Sequence, residues 1–66
     1  MSRRGTWRTL IAGSESPIKD ALLYCDRNGL DHRDYTFNAW TGRCMVTILC
    51  SRIHWKHILG IVEGRV

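Results

Sequence analysis

The stretch from Tyr35 to Cys50 constrains the fold most, because it predicts a β-hairpin with one buried face. Thr41 and Gly42 can form a two-residue loop, since Gly accepts the positive φ that tight hairpin turns often require. One face then pairs Ala39 with Cys44, Phe37 with Val46, and Tyr35 with Ile48. The other face pairs Trp40 with Arg43, Asn38 with Met45, and Thr36 with Thr47. A one-residue slip would exchange the two faces, so the register is expected to be well specified.

Length and charge limit the classes of function open to the chain. Its 66 residues predict a single domain, which has no room for a deep active-site cleft. The net charge is +4, with basic residues concentrated in residues 1–13 and 35–66 and an acidic excess in residues 14–34. An excess of this size is common in small proteins and gives only limited support to nucleic-acid binding. We therefore expect no enzymatic activity.

Cysteine usage and the N-terminus predict a cytoplasmic location. An odd number of cysteines, three, favours free thiols in a reducing compartment over a secreted disulfide framework. No apolar segment of the kind found in secretory signals follows the N-terminal Met-Ser-Arg-Arg. No uninterrupted apolar run reaches the length of a membrane span, so no membrane association is expected. Residues 1–5 are expected to form a mobile basic arm.

The pattern before the hairpin predicts a strand followed by a helix. Residues 6–12 alternate, which places Trp7, Thr9 and Ile11 on one face and Arg8 and Leu10 on the other. Ser16 and Pro17 are typical of a helix start, and Asn28-Gly29 of a helix end. Residues 31–34 are interpreted as a charged connector. The buried face of this helix is expected to contain Ile18, Ala21, Leu22 and Cys25.

The segment after the hairpin predicts a second helix. Ser51 can cap it, and Gly64 can end it. Gly60 inside the helix disfavours it by about 1 kcal/mol relative to Ala, and a pair of short strands around Gly60 is the alternative. The predicted buried stripe consists of Trp55, Ile58, Leu59 and Val62.

The predicted fold class is α+β, with element order β-α-β-β-α. The third strand is apolar on both faces, which favours the centre of a three-stranded sheet, antiparallel to both neighbours, with both helices on one face. The order resembles a split β-α-β unit that lacks its last strand, a truncated ferredoxin-like arrangement, and that fold implies no particular function. The expected core comprises Trp7, Ile11, Ile18, Leu22, Tyr35, Phe37, Val46, Ile48, Trp55, Ile58 and Val62.

A sheet covered on one side leaves its other side open to a partner. An apolar patch on that side is expected to be covered by another protein, a second copy of the chain or a ligand. In the alternative arrangement, the second helix crosses the sheet and covers this side. The candidate partner-binding residues are Arg8, Leu10, Asn38, Trp40, Arg43, Met45 and Leu49, accompanied by Thr36 and Thr47.

A protein partner is favoured over nucleic acid for this face. An aromatic side chain with flanking arginines is the general layout of single-strand binders, but only Trp40 is expected there. Met45, Leu10 and Leu49 suit a protein surface better. Stoichiometric binding without turnover is typical of small regulators and inhibitors, including those encoded by phages and mobile elements. A homodimer is a further expectation, and nucleic-acid binding is the alternative function.

Cys50, His54 and His57 form the strongest chemical cluster in the sequence, yet they predict no site. A zinc site would need a fourth ligand, such as Cys25 or His32, and the chain has no C-x-x-C pair. A nucleophilic Cys-His pair would need an orienting group and an oxyanion hole, for which no sequence signal exists. We therefore expect no metal, no cofactor and no catalytic residue.

Overall fold

The computed structural model describes residues 5–64. The elements are β1 (Thr6–Ala12), α1 (Glu15–Arg27), β2 (Asp31–Phe37), β3 (Cys44–Cys50) and α2 (Arg52–Glu63). The strands form one sheet of order β1-β3-β2, in which β3 is antiparallel to both neighbours. The predicted α+β class, element order and central third strand are confirmed. Apart from Gly5, the predicted N-terminal arm lies outside the described residues.

Both helices cover the same side of the sheet. Along β3, every second residue from Cys44 to Cys50 is buried, whereas the residues between them are only partly buried. The buried set joins Ile18, Ala21 and Cys25 of α1 and Ile58 of α2 in one apolar cluster. The alternative, in which the second helix crosses to the other side, is therefore wrong. Over residues 5–64, no helix is both long enough and apolar enough to cross a membrane.

Helix α1 starts earlier than the sequence pattern indicates. Ser14, with extended backbone angles, is its N-cap, so Ser16 and Pro17 lie inside the first turn. The predicted C-terminus is confirmed, since Asn28 is the C-cap and Gly29 has a φ of 65°. The Leu30 N–H donates to the Cys25 carbonyl at 2.8 Å, which satisfies a terminal carbonyl and folds Leu30 back onto the core.

The segment after β3 forms a single helix, and the alternative of two short strands is wrong. Ser51 is its N-cap and Gly64, with a φ of 72°, is its C-cap. Ile58 is buried, and the other members of the predicted stripe, Trp55, Leu59 and Val62, pack against the core while partly buried.

The predicted facing of β1 is wrong. Leu10 lies opposite Val46, and Ala12 lies opposite Cys44, so both point toward the helices. Trp7 and Ile11 point to the uncovered side instead. The short connection through Gly13 and Ser14 lays α1 against the side that carries Leu10 and Ala12, which is therefore the buried side.

The hairpin loop is longer than predicted, which shifts the register of β2 by two residues. Phe37 lies opposite Cys44 rather than Val46, so its face is as predicted but its partner is not. Asn38 sets the loop: its side-chain oxygen accepts hydrogen bonds from the Trp40 and Thr41 N–H groups at 2.9 and 3.3 Å. The Asn38 N–H also donates to the Arg43 carbonyl at 2.8 Å, which closes the strands beyond the predicted two-residue turn.

The predicted connector at residues 31–34 belongs to β2. Between Arg33 and Thr36 the register shifts, because Asp34 and Tyr35 together lie opposite Val46. Asp34 has a φ of 58°, the left-handed conformation found at one type of β-bulge. Tyr35 and Phe37 remain substantially exposed, so their expected place in the core is wrong.

Candidate binding face

The side of the sheet opposite the helices is called the open face. It carries alternate residues of β1 and β3, and in β2 the extra residue of the bulge shifts the alternation by one, so that Arg33 and Thr36 lie on the same face. Its members are Trp7, Thr9 and Ile11 of β1, Asp31, Arg33 and Thr36 of β2, and Met45, Thr47 and Leu49 of β3.

Apolar pairs occupy both ends of the β1–β3 half of the open face. Trp7 lies opposite Leu49, and Ile11 lies opposite Met45. Between these pairs, the hydroxyl oxygens of Thr9 and Thr47 are 3.4 Å apart. Ile11 is 56% exposed, although the helices shield apolar side chains of similar size on the other side. The open face is therefore an apolar surface with a polar centre.

Arg33 links the two edges of the open face. Its guanidinium carbon lies 4.1 Å from the centroid of a Trp7 ring, within cation–π distance. Its Nε atom is also 3.6 Å from the Asp34 carboxylate, in an exposed ion pair. Because β3 separates the two edge strands, the Arg33 side chain spans the central strand and holds the indole in place.

A shallow depression of about 280 Å³ lies at the end of the open face nearest the hairpin loop. Ile11, Thr36 and Met45 line its apolar floor, and Asn38 and Arg43 supply polar groups at the loop end. A depression of this composition can accept an apolar side chain together with a hydrogen-bonding group.

Four of the seven predicted binding residues lie on or beside the open face. Met45 and Leu49 are on it, and Asn38 and Arg43 border its depression. Trp40 is at the tip of the hairpin loop and is 97% exposed. Whether these residues bind a partner stays a prediction.

The predicted placement of Arg8 and Leu10 on the open face is wrong. Leu10 is only 2% exposed and packs in the core beneath the helices. Arg8 lies opposite Ile48, a buried residue, on the same side. Its Nε atom is buried without a hydrogen-bond partner among the described residues.

Sequence reasoning missed Trp7, Ile11 and Arg33 as members of the open face. The alternation in β1 defines two faces but does not indicate which of them is buried. Assigning the face with the largest side chains to the core is therefore the wrong choice. The residue that could have indicated the position of Arg33 is Asp34, because Asp tolerates the left-handed conformation that a bulge requires.

The Cys50, His54 and His57 cluster has other partners in the structure. The Tyr24 hydroxyl and His54 Nδ1 are hydrogen-bonded at 2.8 Å, and the Tyr24 ring stacks on His57 with ring centroids 6.0 Å apart. Burial raises the pKa of the Cys50 thiol, and the nearby Arg8 charge opposes this only in part. Within residues 5–64, no group of three or more His, Cys, Asp or Glu side chains could hold a metal ion.

Burial also keeps the thiol of Cys25 protonated. Burial, followed by the charge of Cys50, raises the pKa of Cys25 to about 11. A thiol that holds its proton at neutral pH is a weak nucleophile. The three cysteines of the chain are buried and free, so their chemical role here is that of apolar core residues.

Comparisons with protein-family models, with curated proteins and with solved structures find no match for this chain.

Proposed function

We propose that this chain is a small binding protein that acts stoichiometrically, without turnover, on a protein partner held at the open face. The observation that supports this proposal is the exposed apolar surface formed by the Trp7–Leu49 and Ile11–Met45 pairs. Protein interfaces combine buried apolar contacts with polar groups that form hydrogen bonds. Asn38 and Arg43 supply such polar groups at the loop end of the open face, and Trp40 is 97% exposed at the loop tip.

Regulation or inhibition of the partner is the mode of action that fits this proposal. A flat sheet face has no enclosed cavity in which a reaction could be shielded from water. It can instead cover a surface of the partner and block access to it. The sheet that carries the face is supported on its other side by both helices, so little ordering is required when a partner binds.

Nucleic-acid binding is the alternative function, and two observations bear on it. Arg33 and Arg43 place guanidinium groups on the open face and at its rim, which favours phosphate contacts, although Asp31 and Asp34 oppose this charge at Arg33. However, Arg33 already lies over the Trp7 ring on which a base would stack. The Trp40 ring, which is 97% exposed, stands at the loop tip and not on the open face. Protein binding is therefore the better supported of the two.

The test is capture of partners from a cell lysate by the wild-type chain, with and without nuclease. Met45→Asp places a charge in the apolar part of the open face and is expected to abolish capture of the protein partner, while Trp40→Ala weakens it. Leu23→Asp is the matched control, because Leu23 is equally apolar and 59% exposed but lies on α1. It is expected to leave capture unchanged.

Three outcomes contradict the proposal. Unfolding of the Met45→Asp variant, seen by circular dichroism, would mean that the open face is core. Equal loss of binding in Leu23→Asp would place the site on the helices. Recovery of RNA or DNA alone, with sub-micromolar affinity at physiological salt, would establish the alternative function.

A further inference from the structure

The outer edge of β1 is an unpaired strand edge with a regular backbone. β1 is the first strand in the sheet order, and over residues 5–64 no strand pairs with its outer side. All seven of its residues are in continuous register with β3, without a bulge. Alternate residues of an edge strand point their N–H and C=O groups away from the sheet, where they can pair with a further strand.

Natural sheets protect such edges with charges, prolines or bulges. β1 contains no proline and a single charged residue, Arg8, which points beneath the helices rather than outward across the open face. Its exposed side chains include Trp7 and Ile11, which favour strand pairing. The edge therefore lacks the usual features that prevent association.

The residues of β1 are complementary to a second copy of the same strand. In a two-fold antiparallel pair centred on Thr9, Trp7 of each copy lies opposite Ile11 of the other, on the open face. On the helix side, Arg8 lies opposite Leu10. Cross-strand pairs of an aromatic with a β-branched residue are among the favourable ones in antiparallel sheets.

Other registers of the pair are less favourable. Centring the pair on Arg8 would place the two arginines directly opposite each other, which like charges disfavour. Centring it on Leu10 would remove Trp7 from the paired region and shorten the ladder. A slip by one residue would put the helices of the two copies on opposite sides of the sheet.

We propose that this chain forms a homodimer by antiparallel pairing of β1 with β1 about Thr9, which joins the two sheets into one of six strands. The contact is isologous, because the same surface of each copy faces the other. The two open faces then lie side by side as one larger surface with Trp7 and Ile11 at its centre. This pairing is separate from the partner contact proposed above and does not depend on it.

Sedimentation equilibrium of the wild-type chain over a range of concentrations tests the pairing. We expect a monomer–dimer equilibrium. Thr9→Lys places two like charges opposite each other at the two-fold axis and is expected to raise the dissociation constant at least about tenfold, with a smaller effect at high salt. Thr36→Lys makes the same change on β2, also on the open face, and is expected to leave the equilibrium unchanged.

Mixing two variants of opposite charge shows whether a loss of dimers comes from charge repulsion or from unfolding. Equal amounts of Thr9→Lys and Thr9→Glu are expected to restore dimers, because opposite charges then meet at the axis. Thr9→Cys is expected to form a disulfide-linked dimer on mild oxidation, since opposed Cα atoms in antiparallel strands are close enough for a disulfide. Thr36→Cys is the control and is expected to form no disulfide-linked dimer.

A wild-type chain that remains monomeric up to about 1 mM, a concentration at which even weak association with a free energy of about −4 kcal/mol becomes visible, would overturn the pairing. So would dimers that persist unchanged in Thr9→Lys, or equal crosslinking of the Thr9→Cys and Thr36→Cys chains. Loss of partner capture in Met45→Asp with an unchanged dimer would separate the two proposals.

Discussion

The two edge strands of this sheet have the same length but different backbones. β1 and β2 each have seven residues, and each pairs with β3 on one side only. β1 runs in unbroken register, whereas β2 is interrupted where Asp34 takes a φ of 58°. β2 also carries charged or titratable side chains at each of its first four positions, and β1 has only Arg8.

From this difference we predict that continuity of the backbone, more than exposed apolar area, decides which edge can accept another strand. Both edges expose large apolar side chains, Trp7 and Ile11 on β1 and Tyr35 and Phe37 on β2. A bulge, however, twists the strand and misdirects its outward N–H and C=O groups. β2 is thus protected in a way that β1 is not.

The largest effect on stability is expected from a substitution that disturbs the contact between the start of β1 and the end of β3. Gly5 has a φ of 108° and lies against the end of β3, where an added Cβ would overlap the Cys50 carbonyl. Gly5→Ala is therefore expected to lower the free energy of unfolding by about 3 kcal/mol, because the backbone is strained and the contact too close. Urea denaturation followed by tryptophan fluorescence measures the loss.

Gly13→Ala is the matched control for this substitution. A Cβ at Gly13 would meet no atom within 4 Å. Its free energy of unfolding is expected to stay within about 0.5 kcal/mol of the wild-type value, as for most unconstrained surface changes. Equal stability of the two variants would show that the start of β1 is not fixed against β3.

Deleting Asp34 should remove the protection of β2. Tyr35 alone would then lie opposite Val46, and Arg33 and Thr36 would keep their faces, so β2 becomes regular. We expect the free energy of unfolding to rise by about 1 kcal/mol as the left-handed residue is removed. In the Thr9→Lys background, where β1 pairing is blocked, the deletion is expected to restore self-association, measured by sedimentation equilibrium.

Asp34→Gly distinguishes the bulge from the charge. It removes the carboxylate near Arg33 but keeps the extra residue and the positive φ that Gly accepts readily. In the same Thr9→Lys background, this variant is expected to remain monomeric. If it associates as strongly as the deletion variant, charge and not backbone irregularity protects β2.

The smallest effect on stability is expected from removing the contact between Arg33 and Trp7, which links the two edge strands. A double-mutant cycle with Trp7→Leu and Arg33→Met measures the cation–π contact across β3. We expect a coupling free energy of about 0.5–1 kcal/mol, the usual range for exposed contacts of this type. A coupling indistinguishable from zero would mean that the edges are stabilised separately.

The sequence pattern was sufficient to predict the fold because its strongest signals are local. Gly29 ends α1 and Gly64 ends α2 in left-handed conformations, as the pattern indicates. β3 is apolar on both of its faces, and this places it at the centre of the sheet. These features do not depend on how the helices pack.

The candidate site was only partly predictable because it depends on contacts between distant segments. Trp7 and Leu10 lie on opposite faces of β1, and only the short connection to α1 decides which face is buried. Asn38 shifts the hairpin register through side-chain hydrogen bonds that hydrophobic alternation does not encode. Met45 and Leu49 are correctly placed by the sequence pattern, because the predicted and the observed pairing of β2 with β3 leave the two faces of β3 unchanged.

The central position of β3 also has a consequence for synthesis. β1 and β2 both pair with β3 and not with each other, and the pair Thr6–Cys50 joins positions separated by two thirds of the 66-residue chain. As the chain leaves the ribosome, β1, α1 and β2 emerge first, and no ladder can form until β3 follows. The sheet must therefore assemble in a late, cooperative step of high contact order, and the core residue Leu10 lacks its partners in β3 until then.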